Sequence, residues 1–270
     1  MAEPVEDRPA GYPPHPFLIA AAFIAARLDV RCANVACDLV AAAAIFGVAW
    51  RRGRPMTGLM AASMWLNMPL TSVMIESAWY EPMIAALVGA GFFLIEGRGA
   101  ARWAGYVSLG LALTAKQYGV FVLPALAWPH RDQWRRLLVG LALGLAVMLP
   151  WLLWSPPDFM NIVLWKHLAR PPQHERATTF AAAAYRATGM LPPREVMWAA
   201  AAVLIAFVSW RTPRGAATAL GMGTALFVFC LCHTQGFFNY FHLVQYLWLL
   251  GVVGMLKANS ALPPRSTREA

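Results

Sequence analysis

Apolar runs alternate with short polar interruptions along almost the whole chain. The opening MAEPVEDRPAGYPPHP is too rich in proline for a helix. Phe17 to Val30 follows, apolar but short for a crossing of about 20 residues, so it reads as a short or interfacial helix. Val35 to Trp50, Met56 to Ile75, Met83 to Ile95, Trp103 to Trp128, Leu137 to Trp154, Val196 to Trp210, Ala216 to Cys232 and Phe241 to Leu256 are the remaining runs. The pattern predicts an all-α, polytopic membrane protein. It divides into a Pro-rich segment (1–16), a helical module (17–154), a long external loop (155–195), C-terminal spans (196–256) and a polar tail (257–270).

Charge placement then decides topology. Arginines gather in the short links 51–54, 97–102, 131–136 and 211–214, and such loops stay on the cytoplasmic side. If 103–128 crossed once, the third loop would fall on the opposite side from the first two. Two short helices meeting near Lys116 keep all four together. This raises the expected count to about nine spans, each half of the broken run being about 20 Å long. Helices that short survive among other helices around a cavity rather than in lipid. The outward side then receives Glu76 to Pro82, the Lys116 break, the loop 155–195 and the link His233 to Tyr240.

Composition agrees. Hydrophobic residues make up 59% of the 270, and charged residues only 13%, about half the share of a soluble domain. The net charge of +9 is spread over the loops, which argues for a topology signal and against a nucleic-acid partner. Cys32, Cys37, Cys230 and Cys232 have neither a disulfide framework nor zinc spacing, and read as buried thiols.

The stretch from Glu76 to Pro124 carries a set of family-like features. A helix opens with Tyr80-Glu81-Pro82-Met83-Ile84-Ala85-Ala86-Leu87, followed by the turn Glu96-Gly97-Arg98-Gly99. Then comes Ala104-Gly105-Tyr106-Val107-Ser108-Leu109-Gly110-Leu111-Ala112-Leu113-Thr114-Ala115-Lys116, and Val122-Leu123-Pro124 closes the stretch. This pattern resembles the GT-C superfamily of membrane glycosyltransferases over roughly residues 11 to 165, with Tyr12-Pro13-Pro14 similar to the end of their first external loop. The resemblance implies transfer of a sugar from a polyprenyl-phosphate carrier to a glycan, lipid or protein acceptor. It places that chemistry on the outer face of the inner (plasma) membrane, in a bacterial setting. In the superfamily a first helix and a loop bearing a catalytic Asp precede this region. Here eleven residues do, with Glu3, Glu6 and Asp7 as their acids, so the expectation is a chain lacking that loop.

Sugar transfer to a hydroxyl needs a carboxylate for the acceptor proton and positive charge for the departing phosphate. Glu81 matches the family's acidic position, where it can hold a divalent metal or position the acceptor, with Glu76 close in sequence. The plain alternative is a glutamate favoured at a helix N-terminus. Lys116 aligns with the family lysine that contacts the lipid phosphate, against the plain alternative of a snorkelling side chain. Gln117, Tyr118, Trp79 and Tyr80 complete this neighbourhood. His233, Gln235, Asn239, Tyr240 and His242 form a second polar cluster. It reads either as a sugar-stacking wall with Phe237 and Phe238 or as interfacial histidines in an aromatic belt. No metal-ligand spacing is present. A catalytically inactive, shortened relative that binds lipid or a partner, and a secondary transporter, are the competing readings. The transporter would call for two similar halves, and the sequence contains no internal repeat.

Overall fold

A computed structural model of the chain describes residues 14–165, 179–232 and 238–257, and every regular element among them is helical. The N-terminal module begins with α1 (His15–Ala25), which lies against α2 (Val30–Arg51). Asp29 caps α2 by accepting from the Arg31 amide at 2.8 Å, satisfying a donor the first turn cannot pair internally. The run from Met56 to Ile75, expected as one span, is two helices, α3 (Pro55–Leu66) and α4 (Pro69–Glu76), bent by 49°. Pro69 removes the amide that would have continued the ladder.

Next come α5 (Glu81–Ile95), α6 (Gly99–Thr114) and α7 (Gly119–Ala127). The helix break expected at Lys116 is present as the four-residue turn 115–118. Gly119 leaves no room for a side chain, since a Cβ there would lie 1.8 Å from the Leu113 carbonyl oxygen. A short 3₁₀ turn (Arg131–Gln133) leads into α8 (Trp134–Trp154). The segment 155–195, expected as a loop, is partly helical, with α9 (Pro156–Met160), a π turn (Asn161–Trp165) and α10 (Phe180–Thr188). The chain continues through α11 (Arg194–Arg211), α12 (Thr218–Cys232) and α13 (Phe238–Met255).

Helices α2, α5 and α13 form the centre. Packed on it are α6 and α8 on one side and α7, α11 and α12 on the other. The α6–α8 contact is backbone to backbone: a Cβ on Gly140 would meet the Tyr106 carbonyl oxygen at 2.2 Å. Small residues permit such approaches where hydrocarbon offers no competing hydrophobic gain. The outer faces of α8 and α11 stay apolar and exposed, among them Leu143, Leu153, Val203 and Phe207, as a lipid-facing surface requires.

Among the described residues, three helices are long and apolar enough to cross a membrane, Val30–Arg51, Arg131–Trp154 and Gly215–Cys232, or four if the bent α3–α4 pair counts as one span. The expectation of about nine spans counted shorter runs as well. The difference has physical causes. α4, α6 and α7 are 8, 16 and 9 residues long, too short to span alone. α13 matches a span in length but carries Asn239, His242 and Gln245.

The basic links do share one end. Arg52 pairs with Glu96 at 2.8 Å and donates to the Leu256 carbonyl at 3.1 Å. Arg214 lies 3.6 Å from Asp132. Arg102, Tyr106, His130, Gln133 and Arg214 line a common pocket there. The α6–α7 hairpin therefore leaves this end and returns to it, with Lys116 at its tip.

Candidate functional site

At the tip, the Lys116 ammonium donates directly to Glu81 Oε1, and the two side chains are only 3% and 1% exposed. Asn239 Nδ2 donates to the same oxygen at 2.7 Å. Three elements far apart in sequence thus converge: the first turn of α5, the turn between α6 and α7, and the first turn of α13. Pro82 suits its position because the second helical residue has no internal acceptor for an amide. The positive end of α5 adds to the attraction on Glu81. The rings of Tyr118 and Tyr240 stand 5.3 and 5.0 Å from the Lys116 nitrogen, within cation–π range, and meet each other edge to face.

A cavity of about 320 Å³ opens beside this pair. Thr114, Lys116 and Gln117 give it a polar end, and Leu123, Leu141, Leu145 and Met148 give it apolar walls. His15 Nε2 lies 2.9 Å from the Gly144 carbonyl oxygen and 3.2 Å from Thr114 Oγ1, so α1 clamps the end of α6 to α8 one residue from the turn.

The remaining candidates divide. Trp79 and Tyr80 border the site. The Trp79 and Met74 carbonyls accept from Asn34 Nδ2 at 2.9 and 3.2 Å, which ties the turn before α5 to α2. Ala78 in that turn has φ +51°, an uncommon conformation for a residue with a side chain. Tyr80 packs on Ala20, Ala33, Cys37, Met83 and Ala86. Glu76 stays exposed at the end of α4 and does not join the buried pair. His233 and Gln235, with Phe237, lie outside the described residues.

His242 does not reach the protein surface. It is fully buried, 3.2 Å from Thr71 Oγ1, with its ring 4.3 Å from that of Trp65. Of the cysteines, Cys37, Cys230 and Cys232 are buried and Cys32 is exposed, so the expectation of four buried thiols holds for three. Among the described residues no three His, Cys, Asp or Glu side chains gather as a metal site.

Sequence reasoning passed over two polar residues of α2. Asn34 and Asp38 are one turn apart and buried. Neither Asp38 oxygen has a partner at full hydrogen-bond geometry among the described residues; the Trp65 indole faces it as a looser donor, and Tyr246 is a further neighbour. The available signal was the same that marks Lys116, an ionisable residue inside an apolar run.

Comparison with protein families decides the wider question. The model of glycosyltransferase family 87 matches residues 11–234. The chain belongs to glycosyltransferase family 87. It is therefore a membrane glycosyltransferase family member of GT-C type, and a sugar donor and an acceptor are the partners that membership implies. No curated protein and no solved structure matches it.

Proposed function

We propose that this family 87 member moves a sugar from a polyprenyl-phosphate carrier to an acceptor on the non-cytoplasmic face of a bacterial inner membrane. The observation that carries the reading is the buried Lys116–Glu81–Asn239 cluster. It sits at the tip of a hairpin rooted in the basic end, beside a cavity with apolar walls. A polyprenyl chain fits such walls, and its phosphate would meet Lys116 at the polar end.

In this reading Lys116 neutralises charge building on the phosphate as the sugar–oxygen bond breaks. Glu81 receives the acceptor hydroxyl proton as the new bond forms, and Asn239 holds the carboxylate in place. Tyr118 and Tyr240 keep the ammonium from water with their ring faces. Attack from the side opposite the phosphate inverts the anomeric centre, as the GT-C resemblance implies.

The test is release of polyprenyl phosphate from a polyprenyl-phosphate sugar by the full chain in nanodiscs. Glu81→Gln and Lys116→Met should each lower the rate by roughly 100-fold, the low end of the range for a positioned acid–base group. Variants as fast as the parent chain would end this assignment, leaving a lipid-binding relative as the better account.

A further inference from the structure

The same pair poses a difficulty for any anionic donor: the Lys116 charge is already taken. The lysine donates to Glu81 Oε1 with both side chains almost wholly enclosed. A phosphate cannot reach the ammonium at hydrogen-bond distance without loosening that contact.

We infer that Glu81 is an internal competitor for the phosphate site: the donor's phosphate displaces it from Lys116, and re-forming the pair expels the polyprenyl-phosphate product. This rests on the donor class proposed above.

The surroundings suit such an exchange. When Lys116 turns to a phosphate, Glu81 keeps the Asn239 donor at 2.7 Å and the positive end of α5. The carboxylate is therefore not abandoned in a dry interior, where an unpaired charge is costly. Lys116 also has the faces of Tyr118 and Tyr240 at 5.3 and 5.0 Å, a contact that does not depend on which anion it pairs with. It stands on a non-helical turn, so it can shift without unwinding a helix. The cavity lies on the side bounded by Thr114 and Gln117, which gives the entering phosphate two further polar side chains.

Charge is conserved at each stage. One anion replaces another on Lys116 as the donor enters. Glu81, released from its cation, becomes the stronger base and takes the proton that the acceptor hydroxyl gives up. Once that proton passes to water, the carboxylate is again free to compete for Lys116.

The experiment measures binding of a polyprenyl monophosphate to the full chain in nanodiscs, with the parent polyprenol as the uncharged control. Glu81→Gln removes the competitor and should bind the phosphate about tenfold more tightly than the parent chain. Lys116→Met should bind about tenfold or more weakly, and the polyprenol should not distinguish the three. Glu81→Asp shortens the reach to Lys116 and should fall between parent and Glu81→Gln; it decides the matter if Glu81→Gln fails to fold. Equal or weaker phosphate binding by the folded Glu81 variant, with Lys116→Met still impaired, overturns the competition and leaves the donor site standing. Phosphate and polyprenol bound alike by every form overturns both.

Discussion

Removing either member of the Lys116–Glu81 pair should cost far more than removing both. Lys116→Met leaves a carboxylate whose side chain is 1% exposed, held by Asn239 without its cation. Glu81→Leu leaves an equally enclosed ammonium. Breaking a buried pair on one side typically costs about 3–5 kcal/mol, because an uncompensated charge stays in a dry interior. The double change Glu81→Leu with Lys116→Met removes both charges. It forfeits mainly the Asn239 bond, roughly 1 kcal/mol. For a chain of this size each kcal/mol moves the melting temperature by about 2–4 °C. Each single variant should therefore melt about 10 °C lower and the double within about 4 °C of the parent chain. Tryptophan fluorescence melting in nanodiscs reads all four forms. A double variant that loses the sum of the two single losses would refute the coupling. Polyprenyl-phosphate release should stay absent in the double, separating the pair's chemistry from its part in stability.

Other consequences can be checked in the same preparation. Tyr106 and Thr218 meet the two His130 nitrogens at 2.9 and 3.0 Å, and burial pushes the imidazole pKa down to about 4 from 6.5. The neutral ring therefore contributes stability above pH 6.5 that is lost as pH falls toward 4, about 3 kcal/mol in all. Melting temperature should drop over that interval, and His130→Gln should flatten the drop. Gly140→Val pushes a branched side chain into the Tyr106 carbonyl; it should cost about 3 kcal/mol or more by forcing α6 from α8, read as a lower melting temperature and slower turnover. Asp38→Leu removes a buried carboxyl with no partner at full hydrogen-bond geometry among the described residues, so stability should hold or rise; a loss beyond about 2 kcal/mol would reveal an essential bond at that position. Cys32 is exposed at the start of α2, the end opposite Arg51, while the other three cysteines are buried. On the proposed topology a membrane-impermeant maleimide should label Cys32 from outside intact cells and not from inside-out vesicles.

Helical class, the shared side of the basic loops and the turn at Lys116 were legible in the sequence, because each follows from the cost of placing charge in hydrocarbon. The meeting of Lys116 with Glu81 was legible in part: loop parity puts both on one side, but only packing brings α5 and α6 close enough for a bond. Asn239 could be singled out as a polar residue, yet its partner is 158 positions away, and no local rule links them. Bends within a run were not legible, because an apolar run records burial, not direction. Met56 to Ile75 reads as continuous although Pro69 turns it by 49°. The surroundings of His242 were hidden for a similar reason. Its aromatic neighbours in sequence left a sugar-stacking wall and an interfacial belt both open, and Thr71 and Trp65, which enclose it, come from the distant bent α3–α4 pair.

The hairpin of α6 and α7 is neutral to the orientation of everything that follows it. It departs from the arginine-bearing end and comes back to it, as the Tyr106–His130–Thr218 contacts record. Deleting or lengthening it therefore leaves α8 starting on the same side and inverts no later helix. The part of the protein that delivers the cation can accordingly vary in length and reach, while the rest of the bundle keeps its handedness in the bilayer.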